Sequence, residues 1–179
     1  MIYGGKELAG AFRTVRKNTI QVAEDIPESK YSHVAAPEAR SVAQMLTHIA
    51  IATRLWIDLN KNEITTMVGI DFPKIGETFR VEEAKPRSKG ELIELLRTEG
   101  EKYASWLETL TPEFLAGVVT DPDGQTTRTR FERILGAKEH EMHHRAQLML
   151  IERMVGIVPH LTREMQARMA QAAAASGRR

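Results

Sequence analysis

The sequence contains no cysteine, and this absence removes several kinds of chemistry from consideration. No disulfide, thiolate metal ligand or cysteine nucleophile can come from this chain. An excess of charge of one sign is also missing, because 25 Lys and Arg residues nearly balance 24 Asp and Glu residues. Since there is no basic stripe with interleaved aromatic residues, we expect no binding to nucleic acid.

Long apolar runs and targeting segments are absent as well. No run approaches the roughly 18 apolar residues that a membrane-spanning helix requires, so we expect no membrane partner. Residues 1–7 lack a basic segment followed by an apolar core, so we expect no signal peptide. The resulting expectation is a soluble, cytoplasmic protein.

Helical periodicity dominates what the sequence does contain. With 179 residues the chain is long enough for a substantial core, and we expect one domain over residues 1–179. Apolar residues recur at three- and four-residue spacing in four stretches, approximately 6–26, 41–59, 88–110 and 130–155. The prediction is an all-α, antiparallel four-helix bundle with its core at about residues 6–156 and a helical tail at 160–175.

Local signals define several helix ends. Ser41 and Ser88 are suitable N-cap residues, followed three positions later by Gln44 and Glu91, as in a capping box. Gly156, followed closely by a proline, predicts the end of the last long helix.

Two connections between the predicted helices have their own character. Residues 60–89 break the helical pattern, and we predict a long loop there, held against the bundle by Phe72 and Phe79, with a short helix near Ile64–Val68 as an alternative for part of it. Loops of this length are often functional, so we expect this one to determine substrate specificity. Residues 117–129 place an Asp-Gly turn between β-branched runs, which predicts a loop with hairpin character.

Three histidines lie on core-facing sides of the predicted helices. His140 and His144 are four positions apart, so both rings leave the same, otherwise apolar, helix face, and His48 lies at the edge of another apolar face. A single core histidine usually bonds to a carbonyl, and an exposed histidine-rich patch is an alternative for the pair. Burying three imidazoles together is costly, so we predict that all three bind one divalent metal ion and leave coordination positions open.

Neighbours of these histidines are weaker candidates. His143 faces away from His144 and is expected at the rim of the site. Glu141 could support the ligands or merely flank them, and we assign no general base. Imidazole ligands suit Zn, Ni, Fe, Mn or Cu, so the sequence leaves the identity of the metal open.

Two segments carry a family resemblance. Residues 40–50, RSVAQMLTHIA, contain the pattern S-V-x-x-x-L-x-H-I, and residues 140–148, HEMHHRAQL, contain H-x-x-x-H-R-x-Q. In this order and spacing the two segments resemble the motifs of the DinB/YfiT-like family of metal-dependent enzymes. The resemblance to that family extends over nearly the whole chain. The resemblance implies a four-helix bundle, a homodimer and metal ligands at His48, His140 and His144. Ala146 departs from the glycine that many members carry there.

The resemblance implies less about the reaction. Related members use the metal to activate a low-molecular-weight thiol for transfer or isomerisation, and many have no assigned activity. A three-histidine centre lowers the pKa of a bound water or thiol. Three hypotheses follow: a metal-dependent thiol transferase or hydrolase-like enzyme acting on a small molecule, a non-catalytic metal-binding or stress-response protein, and a helical interaction module with its histidines satisfied in the core.

Overall fold

The computed structural model describes residues 3–176, which are mainly helical. The helices are Gly5–Asp25 (α1), Val42–Asn60 (α2), Phe72–Glu83 (α3), Lys89–Glu108 (α4), Pro112–Ala116 (α5), Arg130–Met154 (α6) and His160–Ser176 (α7). A 3-10 turn covers Glu28–Lys30, and two short strands, Val118–Thr120 (β1) and Thr127–Thr129 (β2), pair antiparallel as the predicted hairpin. Within residues 3–176, none of these helices combines the length and apolar character needed to cross a membrane.

Helices α1, α2, α4 and α6 form a bundle, which confirms the predicted fold class. Helices α1 and α2 each pack against both α4 and α6, so α1 and α2 lie diagonally opposite each other. Arg13 of α1 pairs with Glu101 of α4, and Lys89 at the start of α4 donates to the Glu24 carbonyl near the end of α1. Helices α1 and α4 therefore run antiparallel.

The same reasoning gives the directions of the other helices. His48 of α2 meets His140 of α6, while Trp56, two turns further along α2, packs against Gly136, one turn earlier on α6. These two helices are therefore antiparallel. Arg16 of α1 pairs with Glu141 of α6, and Leu8, earlier on α1, packs in the same cluster as Ile134, earlier on α6. Helices α1 and α6 therefore run parallel. Helices α1 and α6 thus point in one direction along the bundle, and α2 and α4 point in the opposite direction.

The connection between α2 and α4 differs in detail from the prediction. These neighbouring helices run parallel, so the chain must return along the bundle between them, and residues 61–88 make this crossing. The alternative of a short helix near Ile64–Val68 is not observed, because the helix in this segment is α3, which packs on α2. Asp71 caps α3 by accepting a bond from the Lys74 amide, and Pro73 lies in its first turn, where proline favours a helix start.

The interior of the bundle is divided into two apolar clusters. One contains Val22, Leu46, Leu92 and Leu148, and the other contains Phe12, Tyr103 and Ile134. The ion pair between Arg16 and Glu141 lies between them along α1 and α6. The predicted capping boxes at Ser41 and Ser88 are both confirmed.

Candidate metal centre

The three predicted histidines come together between α2 and α6. The Nε2 atoms of His48 and His140 are 3.0 Å apart. One ring nitrogen from each of His48, His140 and His144 lies within 4.8 Å of the other two. The two-helix arrangement explains this meeting, because His140 and His144 are one turn apart on α6 and face the antiparallel helix α2. The prediction that these three side chains meet is confirmed.

A carboxylate from α3 holds His48 in place. The His48 Nδ1–H donates to Glu83 Oε1 at 2.7 Å, and Glu83 also accepts from the guanidinium of Arg40 at 2.7 and 3.3 Å. Glu83 is the one buried residue of α3. Since Nδ1 carries the proton in this contact, the lone pair of His48 is on Nε2, which faces the other two histidines.

The ring of His144 is oriented in a similar way by its own helix. Its Nδ1–H donates to the side-chain oxygen of Gln147 at 2.9 Å, one turn further along α6. This bond leaves the Nε2 lone pair of His144 available as a ligand. His143 is exposed and also contacts Gln147, which agrees with its predicted place at the rim.

The surroundings keep the three imidazoles neutral. Burial, followed by the charges of the neighbouring histidines, lowers the pKa of His140 to about 3. Burial also lowers the pKa of His48 and of His144, although the bonds to Glu83 and Gln147 partly oppose these shifts. Neutral imidazole is the form that binds metal ions, so protons compete weakly for these nitrogens near neutral pH.

The donor set fits a divalent metal ion. Two nitrogens bound to one zinc ion at about 2.0–2.1 Å each can be at most about 4.2 Å apart. The 3.0 Å between the His48 and His140 nitrogens satisfies this limit, whereas a separation as long as 4.8 Å within the group would have to shorten by a few tenths of an ångström when the ion binds. In the alternative arrangement, a single hydrogen bond joins the Nε2 atoms of His48 and His140. That bond uses one nitrogen lone pair and leaves the others of the cluster without a partner. Three nitrogen ligands also suit a centre that keeps open positions.

Glu141 takes no part in this cluster. Its carboxylate is 2% exposed and points into the bundle, where it pairs with Arg16 at 2.9 Å. Of the two roles considered for Glu141, support of the ligands or a flanking position, the structure shows neither. Instead, Glu141 belongs to the packing between α1 and α6.

Sequence reasoning missed Glu83 and Arg40 as parts of the site. Arg40 precedes the capping serine of α2, and Glu83 lies 35 positions beyond His48 in a segment predicted to be mostly loop. One signal for Glu83 was nevertheless present, because the segment 60–89, which contains it, was expected to determine substrate specificity at the site. Only the folding of α3 onto α2 identifies which of its carboxylates lies at the site.

Comparison with known proteins gives the family. A family model of the DinB superfamily matches residues 11–148, and the chain therefore belongs to the DinB superfamily. A comparison with curated proteins found no match. Membership agrees with the two motifs around His48 and His140.

Solved structures share this fold. A DinB-like protein, YjoA from Bacillus subtilis, is 25% identical, with a TM-score of 0.62 over 84% of this chain and 92% of that one. YfiT from Bacillus subtilis, described as a probable metal-dependent hydrolase with an unusual four-helix bundle topology, is 18% identical, with a TM-score of 0.67 over 86% and 88%. A mycothiol-dependent maleylpyruvate isomerase is 13% identical, with a TM-score of 0.64 over 82% and 61%.

Proposed function

We propose that this protein is an enzyme that depends on a divalent metal ion held by His48, His140 and His144. The observation that carries the proposal is the convergence of three neutral imidazoles within 4.8 Å of one another. No fourth protein ligand joins this group among the described residues, so a bound ion would keep positions for water or substrate. The description of YfiT as a probable metal-dependent hydrolase supports the same proposal.

The residues of this chain would prepare the centre for such a reaction. When bound, the metal ion would act as a Lewis acid that lowers the pKa of a water molecule or a small thiol. Glu83 holds the Nδ1 proton of His48, and Gln147 holds that of His144, so both rings present Nε2 to the same place. We include a low-molecular-weight thiol as cosubstrate because a mycothiol-dependent isomerase shares this fold.

Metal content is the first test of the proposal. We expect tag-free wild-type protein, purified without added metal, to contain about one divalent ion per chain. His144→Ala is expected to lose the ion and to keep its helical circular dichroism spectrum, whereas His143→Ala, a change at the rim, is expected to keep both. Wild-type protein that neither contains nor binds Zn²⁺, Ni²⁺, Fe²⁺ or Mn²⁺ would favour the interaction-module hypothesis.

Turnover is the second test. Metal-loaded protein is expected to convert an electrophile in the presence of a small thiol, or to hydrolyse it in water, and His144→Ala is expected to abolish the rate. A stoichiometric metal with no turnover over a broad panel of thiols and electrophiles would favour the non-catalytic, metal-binding hypothesis.

We also propose the homodimer that the family resemblance implies. Large apolar side chains are exposed on α6 and α7, and those of Leu150, Met154, Met165 and Met169 are 60%, 55%, 61% and 65% exposed. Such surfaces often form contacts between subunits. Light scattering coupled to size exclusion is expected to give twice the chain mass of 20.2 kDa, and a mass equal to one chain would contradict the dimer.

A further inference from the structure

A cleft lies between α2 and α3, beside the histidine cluster. Its volume is about 550 Å³, which falls within the range of small-molecule sites. Ile51, Leu55 and Leu59 form one wall on α2, and Ile75 and Phe79 form the facing wall on α3. The cleft therefore offers two apolar surfaces to a molecule of modest size.

The charged groups at the mouth of this cleft already have partners. Arg54 pairs with Glu99 at 3.0 Å, and Lys85 pairs with Glu82 at 2.5 Å. Asp58 pairs with Lys61 at 2.6 Å. A charged ligand would compete with these existing partners or remain unpaired on an apolar surface, and burying an unpaired charge there is unfavourable. An uncharged ligand meets no such penalty.

The cleft adjoins the proposed metal centre through shared residues. The ring of Phe79 lies edge-on to the ring of His48, with centroids 6.3 Å apart, and Phe79 also lines the cleft. Ile51 lies one turn beyond His48 on α2. Glu82, at the mouth, directly precedes Glu83, which bonds to His48. Phe79 thus belongs both to the apolar lining of the cleft and to the surroundings of a predicted metal ligand.

We propose that this cleft binds the uncharged, apolar part of the substrate on which the metal centre acts. This inference rests on the proposed function, because it assigns a substrate class to that centre. Phe79 is the residue that the substrate and His48 share. The substrate class is a neutral aromatic or branched aliphatic electrophile, whose apolar group fills the space between Leu55 and Ile75.

A neutral dye provides a direct binding test. Nile red is expected to bind the wild type saturably, with enhanced and blue-shifted fluorescence. Leu55→Lys and Ile75→Lys place a charge on opposite walls, and each is expected to weaken binding by about tenfold or more, corresponding to at least about 1.4 kcal/mol. Val118→Lys makes a similar change at an exposed strand residue outside the cleft and is expected to leave binding unchanged.

An isosteric pair of competitors tests the ligand class. 1-Naphthaleneacetamide, which is neutral, is expected to displace Nile red at about tenfold lower concentration than 1-naphthaleneacetate, which carries a charge. Equal or better displacement by the carboxylate would overturn the assignment of an uncharged substrate. Failure of the wild type to bind the dye, or undiminished binding by both folded lysine variants, would overturn the cleft as the binding site.

Proximity to the metal centre has a separate readout. In protein shown to contain Mn²⁺, the NMR signals of bound naphthaleneacetamide are expected to broaden, and this broadening is expected to disappear in Leu55→Lys. Competitive binding without broadening would make the cleft a site unrelated to the metal. The two proposals fail differently: protein that binds the dye but neither contains nor takes up a divalent metal ion contradicts the proposed function, whereas metal-loaded protein that does not bind the dye contradicts only the cleft inference.

Discussion

Arg16 and Glu141 form a buried ion pair at 2.9 Å, with side chains 5% and 2% exposed, between the two apolar clusters of the bundle. Arg16 also donates to the backbone carbonyls of Leu96 and Ile49, so its guanidinium contacts all three other bundle helices. Gly100 makes room for it, since a Cβ there would lie 2.7 Å from the Arg16 Cγ. Glu141 directly follows His140, and Ile49 directly follows His48, so the contacts of Arg16 lie one residue from two of the three site histidines.

Breaking this pair is expected to be costly. Arg16→Met leaves the Glu141 carboxylate buried without its partner, which typically costs about 3–5 kcal/mol. Urea denaturation of metal-free protein measures the free energy of unfolding. The control is Arg13→Met, whose ion pair with Glu101 is exposed and is expected to contribute less than about 1 kcal/mol. Equal losses in the two variants would show that the buried pair has no special importance.

Glu83→Gln is expected to weaken metal binding while preserving the fold. The amide can still accept from His48, but it loses the charge that raises the basicity of the imidazole and that pairs with Arg40. Changes at such supporting residues typically reduce metal affinity by about 10–100-fold. Competition with a chelator gives the affinity, and the visible spectrum of Co²⁺-loaded protein reports the coordination. Glu82→Gln, which removes the neighbouring carboxylate, is expected to change neither.

Metal affinity is expected to persist below the usual pKa of histidine. The pKa of each of the three site histidines is lowered, that of His140 to about 3, so these rings stay neutral when ordinary histidines take up a proton. Calorimetric titration with Zn²⁺ is expected to give similar affinities at pH 7.5 and pH 6, with a loss only at lower pH. A steep fall in affinity centred at about pH 6.5, where free histidine titrates, would contradict the shifts.

Glu152 is expected to make the stability of the protein depend on pH. Its side chain is fully buried, neither of its oxygens has a hydrogen-bond partner among the described residues, and burial raises its pKa to about 7. Since this value exceeds that of the unfolded chain, the group costs little stability at low pH, and the cost grows as the pH rises towards 7. The full cost is on the order of 3 kcal/mol, because one pKa unit corresponds to about 1.4 kcal/mol.

Glu152→Leu is therefore expected to stabilise the protein more at pH 8 than at pH 5. Urea unfolding at both pH values measures the difference, and Glu139→Leu, at an exposed position of the same helix, serves as the control. If the stabilisation by Glu152→Leu is the same at both pH values, the carboxyl does not titrate as described.

Much of this molecule could be predicted from local sequence. The four bundle helices, the capping boxes at Ser41 and Ser88 and the turn at Gly156 follow from periodicity and from residues within a few positions of one another. The meeting of His140 and His144 is equally local, because a helix places positions four apart on one face. His48 joins His140 and His144 because its helix, α2, packs face to face with α6.

The local sequence pattern could not predict which side chains on different helices contact each other. Nothing near His140 in sequence indicates that Glu141 turns inward to Arg16, 125 positions away. The segment 60–89 looked like a loop because its prolines and glycines interrupt the apolar period, but Pro73 lies in the first turn of α3.

The sequence by itself therefore determined the bundle helices and the three histidines, since helix formation and side-chain facing depend on spacing along the chain. The tertiary structure alone decided that α2 and α4 run parallel, that α3 crosses back over α2, and that Glu83 bonds to His48 at 2.7 Å. The physical reason is that these contacts depend on how helices separated by long connections pack their faces together. No periodicity within a single segment carries that information.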